Sequence, residues 1–148
     1  MKTRRAFLLA AGAGLALGVL PQARAQRVPV VRVFKSPTCG CCGGWEAHMR
    51  ARGFRLESQG VGDVAAFKRS FGVPQELWSC HTAVVEGYAL EGHVPADDVW
   101  RLLRERPKAR GLAVPGMPVG SPGMEQGAPQ PYSTVAFDER ATWVFQRH

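Results

Sequence analysis

Three of the four cysteines fall within four consecutive positions, Cys39-Gly40-Cys41-Cys42, directly after an apolar run. That run, Val28-Pro29-Val30-Val31-Arg32-Val33-Phe34, reads as a strand, with Pro29 near its start where a missing N–H is tolerable. From about Cys41 the pattern turns helical: Trp45 and Met49 lie four apart on one face, and Gly53 supplies a stop. A strand that runs straight into thiols at a helix start sets the sulfurs at the positive end of the helix dipole. Thiolates are favoured there, and cysteine pKa values fall below the free value of about 8.5.

The remaining pattern extends this beginning. Phe54-Arg55-Leu56-Glu57-Ser58 suits a second strand, and Asp63 caps a second helix with Val64, Phe67 and Phe71 on its buried side, ended by Gly72 and Pro74. Cys80-His81-Thr82 leads into a strand at Ala83-Val84-Val85. Glu86-Gly87-Tyr88 is a turn, and Ala89 to Val94 returns as the hairpin partner. Pro95-Ala96-Asp97-Asp98 opens a third helix carried by Val99, Leu102 and Leu103 and stopped before Pro107. Residues Gly111 to Pro131 are rich in Gly and Pro and read as one long functional loop, followed by a closing hairpin over Tyr132–Phe137 and Thr142–Gln146. The order β-α-β-α-β-β-α plus a late hairpin predicts an α/β fold of thioredoxin-like arrangement, with a mixed β-sheet flanked by helices.

The N-terminus reads as an address. Thr3-Arg4-Arg5-Ala6-Phe7-Leu8-Leu9 has the twin-arginine (Tat) pattern, an apolar run follows from Ala10 to Leu20, and Ala23-Arg24-Ala25 offers small residues for cleavage. The expectation is a cleaved signal peptide over residues 1–25 and one domain over 26–148, exported as a soluble periplasmic protein with no membrane attachment after cleavage. The apolar run is shorter than the roughly 20 residues a span needs. Four of the 19 basic residues (Lys2, Arg4, Arg5, Arg24) lie in that signal, which leaves +3 against 12 acidic residues. That charge, without a basic stripe interleaved with aromatics, argues against a nucleic-acid partner.

Three chemistries compete for the cysteines. An inert staple would close very small rings and constrain little of the unfolded chain, and a Cys41–Cys42 bridge would be strained. A dithiol redox site would use Cys39 as exposed nucleophile and Cys42 as resolving thiol, and leaves Cys41 and Cys80 unexplained. In a thioredoxin-like fold the segment before the third strand faces the C-x-x-C motif and usually carries a cis-proline; Cys80-His81 stands there instead. A metal site uses all four sulfurs, Cys39, Cys41, Cys42 and Cys80. Soft thiolates select Cu(I), Zn(II) or iron–sulfur clusters. Adjacent thiolates fit a single tetrahedral zinc poorly but suit bridging between several Cu(I) ions. Copper is the preferred reading, with a thiol–disulfide oxidoreductase using Cys39 and Cys42 as the alternative. Catalytic residues are not assigned beyond these two redox candidates.

A wider set of motifs is shared with a known family. Cys39-Gly40-Cys41-Cys42-Gly43-Gly44-Trp45, His48-Met49, Gly72-Val73-Pro74, Ser79-Cys80-His81-Thr82-Ala83, Glu91-Gly92-His93-Val94-Pro95-Ala96, Gly111 to Pro118 and Gly120-Ser121-Pro122-Gly123-Met124-Glu125 together resemble the CopG-like metal-binding family. The resemblance spans nearly the whole chain after residue 25. It implies a small periplasmic thioredoxin-like protein of copper-resistance systems that binds Cu(I) through Cys39, Cys41, Cys42 and Cys80. It also implies a redox role in copper handling, with other periplasmic copper-handling proteins as partners.

Other side chains carry weaker readings. His81 is a candidate ligand or donor to a ligand, next to Cys80. Met117 and Met124 flank the Gly/Pro loop, and their thioethers also suit Cu(I). Trp45 and Trp78 read as apolar walls beside the cysteine segments. His48 reads as a surface or packing residue, His93 as a local hydrogen-bonding residue, His148 as a mobile terminus, and Met49 as core.

Overall fold

The computed structural model describes residues 27–148. The expected signal peptide over 1–25, and its boundary at residue 26, lie outside these residues. The chain forms a mixed α/β domain with a seven-stranded mixed sheet and three helices. In chain order the elements are β1 (Val30–Lys35), α1 (Cys41–Ala51), β2 (Arg55–Gly60), α2 (Val64–Ser70), β3 (His81–Val85), β4 (Tyr88–Gly92), α3 (Ala96–Glu105), β5 (Gly111–Val114), β6 (Ser133–Phe137) and β7 (Thr142–Arg147). A 3₁₀ turn at Gln75–Leu77 precedes β3. The sheet order is β2-β1-β3-β4-β5-β6-β7. The β1/β2 and β4/β5 pairs are parallel and the others antiparallel. No helix among the described residues is long and apolar enough to cross a membrane.

Alternation along the strands divides the core into two layers. Val31 and Val33 of β1, Ala83 and Val85 of β3, Leu90 of β4, and Leu112 and Val114 of β5 point to one face. There they meet Trp45 and Met49 of α1 and Val99, Leu102 and Leu103 of α3. On the other face Ala89, Ala113 and Phe137 meet Val73 and Leu77, with Phe71, Trp78 and Val135 at the margin. Phe34 turns to that second face and stacks on Phe67, with ring centroids 4.4 Å apart.

Three sequence expectations need correction. Gly111–Val114 is a strand, not the start of the loop; all four residues are buried, and they pair in parallel with β4. In α2 the residues Val64, Phe67 and Phe71 are only half-buried, whereas Lys68 is buried. Lys68 reaches through to Glu91, which is wholly buried on the same face of the sheet, and Glu91 also accepts from Thr82 Oγ1 at 2.7 Å. Finally, His148 is held in place. Its imidazole lies 3.0 Å from Asp98 Oδ2 and stacks on Tyr132. The closing hairpin forms as expected, with a register shift at Thr134/Val135.

Candidate metal centre

Strand register brings the thiols together. In the antiparallel β1/β3 pair Lys35 faces His81, so the segment leaving β1 and the segment entering β3 meet at one end of the sheet. The first carries Cys39, Cys41 and Cys42; the second carries Cys80. β4 runs antiparallel to β3 with Glu91 opposite Thr82, which returns His93 to the same end. β5 runs parallel to β4 with Val114 beside Gly92, so the Gly/Pro-rich segment emerges there as well. At Gly92, with φ +70°, a Cβ would lie 2.6 Å from Ser79 Oγ. Glycine alone fits this turn, which carries the chain from β4 into His93.

Helix α1 starts at Cys41 behind Gly40, with no side-chain cap and no acidic residue in its first turn. Its leading N–H groups therefore face the sulfurs without a competing carboxylate. Cys39 and Cys42, the two redox candidates of the C-x-x-C motif, are joined as a disulfide. Cys41 and Cys80 are free and half-buried. Cys41 Sγ lies 3.7 Å from Cys39 Sγ, and Cys80 Sγ lies 3.9 Å from Cys42 Sγ. All four sulfurs fall within 4.8 Å of one another. Burial pushes the Cys80 thiol up to about 12, with Cys41 adding to the effect.

The structure brings His81 to the cluster. Its Nδ1 is 3.2 Å from Cys80 Sγ, its ring is wholly buried, and Trp45 covers it at 4.3 Å between centroids. Burial, then the neighbouring His93 and Lys68, hold its pKa well below the usual imidazole value. His93, read from sequence as a local hydrogen-bonding residue, also touches the cluster, with Nε2 3.1 Å from Cys80 Sγ. Burial lowers its pKa too. No local signal marks His93, because its approach depends on the β3/β4 register.

The two loop methionines differ. Met117 is exposed, yet its Sδ lies 3.6 Å from Cys41 Sγ. Met124 lines a cleft of about 520 Å³ together with Cys41, Glu125 and Gln126, and has no sulfur contact within the cluster. The loop is locked onto α1 by a glycine–glycine contact: at Gly123, with φ +86°, a Cβ would lie 2.6 Å from the Trp45 amide nitrogen. Trp45 is fully buried and donates from Nε1 to the Val94 carbonyl at 2.8 Å. Trp78 instead packs on the opposite face and bonds Val73.

This combination defines a class: a small mixed α/β domain whose sheet end gathers a cysteine group able to hold a metal ion. A family model described as "Protein of unknown function, DUF411" matches residues 77–124. A search of curated proteins returned no match. Among solved structures, "Copper resistance protein copG- Form 2" is 41% identical, covers 82% of this chain and 98% of its own, and superposes with a TM-score of 0.78. "Copper resistance protein copG- Form 1" is 42% identical over 80% of this chain and 96% of its own, with a TM-score of 0.76. The chain belongs to the CopG family of copper resistance proteins.

Proposed function

We propose that this protein binds Cu(I) as cargo in a thiolate cluster formed by Cys39, Cys41, Cys42 and Cys80. The observation that carries the reading is the convergence of four sulfurs within 4.8 Å. Thiolates bridge soft Cu(I) ions, so four of them gathered from two segments suit a multinuclear cluster. The relatives' role in copper resistance supports the same cargo. The Cys39–Cys42 disulfide would first have to be reduced, since two of the four sulfurs are tied up in it. Reduction of the disulfide would thus arm the site. The reverse step, dithiol to disulfide, would release two electrons and two protons and could reduce two Cu(II) to Cu(I). We read the domain as thioredoxin-like and periplasmic, exported by the twin-arginine signal over 1–25. It would serve copper resistance by sequestration, transfer to partner proteins, or redox conversion.

An anaerobic Cu(I) titration of the reduced protein against a competing chelator tests this. The expected result is more than one Cu(I) per chain, with Cys80→Ser and Cys41→Ser each lowering the number bound. Unchanged stoichiometry in Cys80→Ser would overturn the four-sulfur site. The disulfide also favours a second reading, thiol–disulfide exchange, which predicts activity dependent on Cys39 and Cys42 and indifferent to Cys41 and Cys80.

A further inference from the structure

The end of the sheet opposite the cysteines carries a chemistry of its own. The β3/β4 turn at Glu86-Gly87, the passage from α3 into β5 and the β6/β7 turn all lie there, because Val85 pairs with Tyr88, Ala89 with Gly111 and Gly111 with Phe137. Two clefts open among these segments. One, of about 260 Å³, is lined by Arg27, Glu86, Arg104 and Arg106, with Trp100 and Leu103 as apolar walls. The other, of about 400 Å³, is lined by Lys108, Arg110, Asp138, Glu139 and Arg140. The chain from Arg104 to Arg110 joins them: a basic residue stands at every second position, the first two lining one cleft and the last two the other.

The charges here are unevenly committed. Every carboxylate lining the clefts is engaged: Glu86 by Arg106, Glu139 by Arg110, and Asp138 by the Arg140 and Ala141 amides at 2.7 and 2.8 Å. Arg27, Arg104, Lys108 and Arg140 are exposed, and none forms an ion pair among the described residues. Six basic against three acidic residues leave a surplus of three, which equals the net charge of the whole chain after residue 25. The rest of that chain, the cysteine end included, is therefore balanced. The backbone marks the same place. Glu86 and Arg106, at φ +45° and +49°, are the only non-glycine residues in the left-handed region among the described residues, and they pair with each other. Arg106 follows α3 where glycine commonly ends a helix. Residues held in that region cluster at binding sites. Complementing the α3 dipole would account for Arg104 and Arg106, but not for Arg27 or Arg140, which come from other segments.

We propose that this end of the domain is a docking surface for an acidic segment of a partner protein. Carboxylates of that segment meet the uncommitted cations, and an apolar side chain meets Trp100 and Leu103. Concave clefts of side-chain size suit a polypeptide better than the flat face of a bilayer. Docking here leaves the cysteine end open, so a partner can stay bound in either state of the Cys39–Cys42 pair. The inference does not rest on the Cu(I) reading.

The test uses the metal-free chain expected after signal cleavage and a short fluorescent peptide of aspartate and glutamate with a central leucine. Anisotropy should show saturable binding that weakens as salt rises. Arg104→Gln combined with Lys108→Gln and Arg140→Gln should weaken it at least about tenfold, the combined scale of three exposed charge pairs. Arg32→Gln combined with Arg69→Gln and Arg147→Gln removes the same charge from exposed positions that line neither cleft, and should change binding by less than about twofold. Equal weakening in both would mean that the peptide reads net charge alone, and would overturn the surface. Amide NMR on the unaltered chain decides without variants: the peptide should shift residues 104–110 and leave 39–42 in place, and the reverse would refute the proposal. Binding to vesicles containing phosphatidylglycerol, with none to the peptide, would assign the clefts to a lipid surface and refute it as well. Cu(I) counting on the reduced proteins is a separate arm, in which the cleft variant should match the unaltered chain. A lower count there would show that the substitutions reach the cysteine end and would overturn the separation of the two surfaces.

Discussion

Trp45 ties the cysteine helix to the histidine side of the site. Its ring covers His81, and its Nε1–H is the donor for the buried Val94 carbonyl. Trp45→Phe keeps an aromatic wall but strands that carbonyl, so the expected loss is about 1–3 kcal/mol of stability. Urea unfolding measures it, and a change within about 0.5 kcal/mol, the range of ordinary surface substitutions, would show that the hydrogen bond carries no weight. Trp45 beside the cysteines was legible in sequence because helix periodicity puts it one turn from them. The same reasoning misled at Trp78, which flanks Cys80 in sequence but faces the opposite layer. His93 was misread for a related reason: thirteen residues separate it from Cys80, and only the hairpin register and the turn at Gly92 close that gap.

At the scale of elements, two long-range contacts hold the site's parts in register. The first is the buried pair of Lys68 on α2 with Glu91 on β4. Glu91 also accepts from the Ser79 amide at 2.5 Å, immediately before Cys80, so the pair anchors the cysteine segment from below. Removing one member leaves an uncompensated buried charge. Lys68→Met should therefore cost about 3–5 kcal/mol, while Lys68→Met with Glu91→Gln, which removes the charge but keeps an acceptor for the Ser79 amide, should recover part of it. Thermal unfolding of the three proteins checks this, and equal stability of the single and double variants would contradict it. Sequence periodicity pointed to the phenylalanines of α2 and not to Lys68, because a buried lysine is intelligible only once its partner on another strand is known. The second contact is Gly123 on Gly44. Gly123→Ala adds a Cβ 2.6 Å from the Trp45 nitrogen at positive φ, so the loop must lift. Overpacking of this kind costs about 1–3 kcal/mol. Faster proteolysis within residues 115–131 would report the undocking, and an unchanged cleavage rate would refute it. Strand β5 escaped the sequence reading because four buried residues flanked by Gly and Pro resemble loop punctuation.

For the whole molecule, the sheet topology explains why the site was readable at all: β1, β3, β4 and β5 deliver their functional segments to one end. The cysteines announce themselves by type, but the histidines depend on that convergence. The same burial makes stability depend on pH. Pro95 precedes α3 without a side-chain cap, and His48 Nε2 accepts the leading Ala96 N–H at 3.1 Å instead. Burial, then Arg52, lowers the His48 pKa below 6.5. Protonation would remove that acceptor and set a positive charge at the positive end of α3. His81 and His93 are shifted in the same direction. The unfolded chain takes up protons near 6.5 while the folded chain does not, so stability present at neutral pH falls as pH drops through that value. Glu46 adds a later stage. Burial would raise its pKa, but hydrogen bonds from Lys35, Ser58 and Arg50 outweigh burial and hold it below 4.5. Its contribution is present above the unfolded carboxylate range and is lost as pH falls through the lowered value. The metal-free protein should therefore melt at progressively lower temperature from about pH 7 to about pH 5, and again below about pH 4. In His48→Gln the amide oxygen can still accept from Ala96, so the first stage should shrink. A melting temperature that stays flat across the first interval would mean that the buried imidazoles protonate freely in the fold.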